Sequence, residues 1–306
     1  MLRNRSPEQC IRPRRNRGEG GASYCTRLAD ANGFPGARSF CRDIGITLGG
    51  LASGRMLSTI AAVGHCDIDA LVHDSPSKRA DGTRLAGEFL GHGLYVRSRG
   101  RRFCPECFRA DLDRPAVQLS MPREWNRVWW DVAGVTACHQ HQALLQWRCI
   151  CNRVFDHQVA GIGRCECGFA LAQLPPVKVR SAAAASYIVG RLGYSARISV
   201  PVLDDLSLGD AIRGIRIFGA SLVAAAADEH VVMEAGYRVL AGADEEIRTA
   251  LETVSSRRPE RPGSLGAYGE LHAFARDTAD GRGSDRLLRA MRSHARAHCA
   301  RATDRQ

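Results

Sequence analysis

Lysine is almost missing from this sequence: of 43 Lys and Arg, only Lys78 and Lys178 are lysines. A skew that strong fits a high-GC codon preference, so the cations are read as charge and not as a choice of guanidinium chemistry. Long apolar runs are also missing. None reaches the ~18–20 residues a bilayer span requires, and the most apolar stretch, 212–227, is interrupted by Arg213 and Arg216. The Arg-rich start has no apolar stretch behind it, which argues against a secretory signal. There is no Gly-x-x-x-x-Gly-Lys-[Ser/Thr] loop for nucleotide phosphates and no internal repeat of fixed period. The expectation is a soluble cytoplasmic protein with no membrane partner.

What is present is a chain of 306 residues, 44% hydrophobic, with a formal net charge of +11. That length suggests about two domains, and the apolar fraction supports a folded core. The charge is uneven: residues 1–17 carry six arginines against Glu8. A basic balance of this kind suits a polyanionic partner. Of twelve cysteines, Cys10, Cys25, Cys41, Cys66 and Cys299 are scattered, as small buried hydrophobes are. The other seven lie between 104 and 167, six of them in short pairs and Cys138 beside two histidines. In a chain without an export signal, paired cysteines read as metal ligands before disulfides.

Residues 1–21 read as a disordered basic arm. The region 22–103 reads as helical, opening with Tyr24, Leu28 and Ala31 at helical spacing and broken by Gly33, Pro35 and Gly36. Within it, Leu57, Ile60, Ala61, Gly64, Ile68 and Leu71 fit helix, tight turn at Gly64, helix, a pattern like a helix-turn-helix or a plain helical hairpin. A compact Cys- and Trp-rich module follows at 104–174, closed by Pro175-Pro176. The remainder, 175–306, reads as a helical domain, with helices near 181–192, 207–219, 229–240, 243–255, 267–277 and 284–298. The fold class expected is mainly α with small zinc-ribbon β-hairpins.

Two metal sites are expected. The first pairs Cys104-Pro-Glu-Cys107 with Cys138-His-Gln-His141, each half placing two ligands three apart, as a zinc knuckle does. His139 competes with His141, and the repeated spacing favours His141. Trp125, Trp129 and Trp130 between the halves supply bulk for a small core. The second site pairs Cys149-Ile-Cys151 with Cys165-Glu-Cys167. Asn152 and Gly168, which follow the two pairs, are residue types that tolerate the left-handed backbone a knuckle turn requires. A hairpin turning at Gly161 and Gly163 is expected between the pairs. Four strong ligands close a tetrahedral site, so both Zn2+ ions would be structural and not hydrolytic. Seven thiolates and two dications lower the net charge from +11 to about +8, still basic.

These residues resemble the TniQ family, which includes the TnsD-like target-selection proteins of transposons. The resemblance rests on Phe103-Cys-Pro-Glu-Cys107, Asp111, Trp125, Cys138-x-x-His141, Leu144-Leu145 and the two CxC pairs ending at Cys167-Gly168. Upstream, Ser23-Tyr-Cys-Thr-Arg-Leu-Ala29 and Asn32-Gly33 are similar to the family's N-terminal motif. The match covers about residues 22–174, with weaker similarity at Arg191-Leu192-Gly193 and Tyr268-Gly269-Glu270-Leu271. It departs where His139 replaces a usual proline and where Asn152 replaces a common glycine. The resemblance implies a non-catalytic, nucleoid-associated adaptor. Such an adaptor recognises DNA or a guide complex and recruits a AAA+ ATPase of the TnsC/TniB type, which brings in the transposase. Consistent with this, the sequence has no convincing acidic triad of a transposase; Asp244-Glu245-Glu246 reads as the first turn of a helix. A zinc-containing transcriptional regulator, or a protein-interaction module outside transposition, is the alternative, and a homodimer is compatible with either.

The second helix of the hairpin presents Asp67, Asp69, His73 and Asp74, three of them acidic and unsuited to a phosphate-walled groove. Asp67 and Asp69 are therefore expected to meet a protein partner. DNA is expected at the N-terminal arm and at Arg97, Arg99, Arg101 and Arg102.

Overall fold

The computed structural model describes residues 10–95, 100–115, 122–156, 161–257, 265–277 and 282–303. The chain divides into two compact units. The first takes Met1–Arg180 with Leu192–Ser195, and the second Ser181–Arg191 with Ala196–Gln306. The N-terminal helical region and the Cys-rich module expected as separate domains thus share one unit, and the division falls at Arg180, beyond the Pro175-Pro176 pair.

The first unit begins with five short helices, α1 (Gly21–Ala31), α2 (Ala37–Asp43), α3 (Leu48–Ala52), α4 (Leu57–Gly64) and α5 (Ile68–His73). They pack around Tyr24, Leu28, Phe40, Leu51, Ile60 and Leu71, all essentially inaccessible to solvent. α3 is capped by the Thr47 hydroxyl, which accepts from the Gly50 N–H at 3.1 Å. α5 is capped by Asp67, which accepts from Asp69 N–H at 2.9 Å and Ala70 N–H at 3.4 Å. The sharp turn between α4 and α5 is made by His65, with φ of 49°, and not by Gly64. Gly64 serves close packing instead: a Cβ there would collide with the Tyr24 ring, whose hydroxyl donates to the Gly64 carbonyl at 2.9 Å.

A three-stranded antiparallel sheet follows, β1 (Ser77–Arg79), β2 (Gly82–Leu85) and β3 (Glu88–Gly91), in the order β1-β2-β3. Lys78 pairs with Thr83 and Arg84 with Phe89. Strands of three or four residues leave little alternation to read, and sequence reasoning did not find them. The module beyond is built on α6 (Pro105–Asp113) and the hairpin β4 (Ala137–Cys138) and β5 (Ala143–Leu144).

The disordered arm expected at 1–21 does not hold for residues 10–20. Glu19 is fully buried and paired with Arg27 at 2.7 Å, Arg15 meets Asp74 at 2.6 Å, and the Ile11 N–H donates to Asn32 Oδ1 at 2.9 Å. Asp74, expected on the exposed face of α5, is buried. Besides Arg15 it accepts from the Gly18 N–H at 2.7 Å and the Tyr194 hydroxyl at 2.8 Å. Polar, Arg-rich composition suggested disorder; the buried Asp74 that takes Arg15 and the Arg27 that takes Glu19 reversed it.

The second unit is helical: α7 (Ala183–Arg191), α8 (Pro201–Asp204), α9 (Leu208–Leu222), α10 (Glu229–Ala241), α11 (Asp244–Ser256), α12 (Glu270–Asp277) and α13 (Arg282–Thr303). Six of these lie where sequence periodicity placed helices; the single turn α8 is the addition. α9 and α10 approach closely because Gly219 faces the Val232 carbonyl and Gly236 faces the Ile215 carbonyl, leaving no space for a Cβ at either position. Ser207 and Asp228 cap these two helices through the N–H groups of Asp210 and Val231. The buried Arg191 donates to the carbonyls of Leu203 and Leu206 at 3.2 and 3.1 Å.

Candidate metal centres

Cys104 is the N-cap of α6, Pro105 its first residue, and Cys107 lies in its first turn. The β4–β5 hairpin supplies the other half. Gln142, with φ of 47°, donates its N–H to the Cys138 carbonyl at 2.9 Å and bends the chain so that His141 faces back. The Sγ atoms of Cys104, Cys107 and Cys138 stand 3.6, 3.3 and 3.5 Å from His141 Nδ1, and Cys107 and Cys138 are 3.6 Å apart. A tetrahedral site with metal–sulfur bonds of ~2.3 Å has edges of roughly 3.6–3.8 Å. A disulfide would bring sulfurs to about 2.05 Å. The four donors are therefore spaced for one ion. His139 is excluded from this set: it is packed against the Trp129 ring at 6.0 Å.

The second set is Cys149, Cys151, Cys165 and Cys167, with Cys149 and Cys167 sulfurs 3.7 Å apart and Cys151 and Cys165 3.6 Å apart. Each pair occupies its own small knuckle. The Asn152 N–H donates to the Cys149 carbonyl and the Gly168 N–H to that of Cys165, both at 2.8 Å. Asn152 and Gly168 take the left-handed φ values of 64° and 88° that their residue types suggested. The bridges Arg148–Val154 and Arg164–Ala170 close the two knuckles. The hairpins thus wrap each CxC pair; the hairpin expected between the pairs, turning at Gly161 and Gly163, runs through residues 157–160, which lie outside the described residues.

Both sets can hold a metal ion, and their sulfur and imidazole donors suit zinc. The surroundings of the first agree with that. Its three thiols cannot all ionise without a cation nearby. The Cys104 thiol is drawn down by its hydrogen bond with Cys107, but the bond with Cys138, burial and the Cys138 charge outweigh that and push it up to about 12. Cys138, hydrogen-bonded by Cys104 and Cys107, is held far below an ordinary thiol. At the second site the Phe169 N–H and neighbouring thiols hold the exposed Cys167 down to about 7.

A buried cation supports the first site. Arg127 is held by Asp111 through two contacts of 2.5 and 2.7 Å and donates to the Trp125 carbonyl at 2.8 Å. Its guanidinium lies 4.1 Å from the Trp125 ring centre and 4.9 Å from that of Trp130. Burial works against its charge, but Asp111 and the Cys107 and Cys138 sulfurs together raise its pKa. A Cys₃His set around a dication carries one net negative charge, and Arg127 offsets it. Asp111 belongs to the sequence motif; the role of Arg127 was not visible there, because nothing in its spacing distinguishes it from other arginines. Lys178 is a second unrecognised member. Its Nζ donates to Glu106 at 2.8 and 2.9 Å and to the His141 carbonyl at 3.0 Å, tying the two halves of the site together.

The residues expected to face DNA are placed differently. Arg101 is buried and paired with Asp131 at 3.0 Å, so it does not present a surface for phosphate. Burial raises the Asp131 carboxyl even though Arg101, Arg102 and the hydrogen bonds of Asn126 and Tyr95 oppose it. Arg102 is half-buried and donates to the carbonyls of Val132 and Ala133 at 2.5 and 3.3 Å. Arginines close together in sequence read as a DNA surface, but the Asp131 carboxylate and the Val132 and Ala133 carbonyls inside the unit take up Arg101 and Arg102. Arg97 and Arg99 lie outside the described residues. Asp67 and Asp69 are exposed, beside the exposed apolar side chains of Ile68 and Val72.

Fold and sites together define a mainly helical protein with two four-residue clusters in tandem, each able to hold a metal ion. The TniQ family model matches residues 10–145, which takes in the five N-terminal helices, the sheet and every ligand of the first centre. Over this part the chain is similar to the TniQ family; the second candidate centre lies beyond the matched residues. No curated protein matches the chain. Among the described residues no helix is long and apolar enough to cross a membrane.

Proposed function

We propose that the protein is a non-catalytic, DNA-associated adaptor of transposition that selects the target and recruits a AAA+ ATPase of the TnsC/TniB type. The observation that carries this reading is the family match over residues 10–145. Two structural zinc ions, one held by Cys104, Cys107, Cys138 and His141 and one by Cys149, Cys151, Cys165 and Cys167, fix the module that joins the helical region to the rest of the chain. Closed ligand sets leave no position for a reacting water, which favours scaffolding over hydrolysis.

The partner surface in this reading is the exposed face of α5, where Asp67 and Asp69 flank Ile68 and Val72. Apolar side chains ringed by charge suit a protein surface, and its aspartates would repel phosphate. The test is retention of a AAA+ ATPase of the TnsC/TniB type on immobilised duplex DNA, with and without the protein. Retention that requires the protein, and that weakens when Asp69 is changed to Arg, supports the adaptor. Equal retention in its absence overturns it.

A further inference from the structure

In the first unit Arg15 and Arg101, both expected to face DNA, hold carboxylates instead, as do the buried Arg27 and Arg127. In the second unit several arginines are also paired with carboxylates. Arg213 meets Asp210 at 3.4 Å, Arg216 meets Glu229 at 2.5 Å, and Arg248 pairs with Glu245 and Glu252. α13 differs. Over Arg282–Thr303 it carries six arginines and one acidic residue, Asp285. Leu287, Met291, His294 and Ala295 bury one side of it. Arg289, Arg292 and Arg296 are exposed. At ~100° per residue these three fall within an arc of about 60°, opposite the buried side. None of the three is ion-paired among the described residues; Arg289 donates only its Nε–H, to the Asp285 carbonyl at 3.3 Å.

We infer that this face of α13 is a docking surface for the phosphate backbone of duplex DNA, an inference that rests on the DNA-associated reading above and gives it a location. The charge complementarity is geometric as well as formal. From Arg289 to Arg296 the helix rises about 10.5 Å, a length over which a duplex presents roughly six phosphates. Three guanidinium groups along one line, anchored by a packed opposite side, can each bind a phosphate bidentately without giving up an internal partner. An acidic protein surface offers carboxylates at irregular spacing and would use such a line less fully. Because the contacts reach phosphates and not base edges, they position the protein without choosing a sequence.

The experiment is binding of full-length protein to a fluorescent duplex, followed by anisotropy between about 50 and 200 mM salt. The variants are Arg289→Gln/Arg292→Gln/Arg296→Gln, the same triple to Lys, and the control Arg213→Gln/Arg216→Gln. Loss of three phosphate contacts reduces the slope of log Kobs against log salt by roughly 2.7, so the Gln triple loses about 40-fold less affinity than the wild type across that salt range. The Lys triple and the control keep the wild-type slope. The α13 positions and Arg213 are exposed and Arg216 is half-buried, and circular dichroism checks that each variant folds. A folded Gln triple with unchanged slope, while the wild type binds, overturns the surface and leaves the adaptor reading standing. Wild-type protein without affinity for DNA overturns both. A Gln triple that loses the ATPase and keeps its DNA slope assigns the face to protein and overturns the inference.

Discussion

Replacing Asp111 by Ala strands the Arg127 guanidinium in the interior. Both side chains are buried, and their two contacts of 2.5 and 2.7 Å are the only ion pair Arg127 makes among the described residues. Removing one partner of a buried pair costs roughly 3–5 kcal/mol, because the remaining charge is desolvated and unpaired. For a domain of this size each kcal/mol moves Tm by about 2–4 °C. The expected fall is therefore roughly 6–20 °C, read by tryptophan fluorescence, since Trp125 and Trp130 line the guanidinium. The double variant Asp111→Leu/Arg127→Met removes both charges and should recover much of the stability. It should at the same time weaken metal retention at the first centre, because the cation that offsets the thiolates has gone. Competition with a chromogenic chelator separates the two effects. An Asp111→Ala protein melting within about 2 °C of wild type would refute the reasoning, as would a double variant that stays as unstable as the single one.

Purified protein should contain two zinc ions, with Cys104→Ser and Cys165→Ser each removing one and destabilising the module by metal analysis and melting. His141→Ala should also lose one ion, and His139→Ala should keep both. Stability should decline as pH falls below the ordinary carboxylate range in part through Asp74: burial pushes its pKa up, but hydrogen bonds from Arg15, His73, Tyr194 and the Gly18 N–H outweigh it and hold the folded-state pKa below 3.8. The stabilisation is thus complete above the unfolded-state value and is lost as Asp74 is protonated, so acid titration of Asp74→Asn should show a shallower decline. Gly64→Ala should destabilise by roughly 1–3 kcal/mol in denaturant unfolding, because it forces the Tyr24 ring from its seat.

The metal ligands were legible because their chemistry imposes spacing on the chain. Cys104 and Cys107, or Cys149 and Cys151, must be near in sequence to share an ion, and Asn152 and Gly168 must tolerate the turn. The helices of the second unit were legible for a similar reason: Leu208, Ile212, Ile215 and Phe218 repeat at helical spacing on a face that is buried. Long-range pairing left no such trace. Arg101 and Asp131, Arg15 and Asp74, and Lys178 and Glu106 are joined by the fold across 30, 59 and 72 positions. An arginine that meets a buried carboxylate and one that meets solvent look alike in one dimension. This is why Arg101, Arg102 and residues 10–20 were misread, while the cysteine clusters could be read from their spacing.

The path of the chain around the second knuckle pair has a consequence for modularity. Gln146 Nε2 donates to the Pro175 carbonyl at 2.7 Å, the Leu144 N–H to that of Val177 at 2.8 Å, and Arg109 to those of Ala172 and Leu174. The segment holding Cys149 to Cys167 therefore leaves and re-enters the unit at neighbouring points, and its stem is fastened independently of its ligands. Such an excursion is a cassette: its length can vary at little loop-closure cost, and a foreign hairpin can be grafted on the same stem while the first centre keeps its Glu106–Lys178 latch. Selection could thus diversify the exposed tips of this lobe for new partners while Phe155 and Ile162 keep it seated on the core.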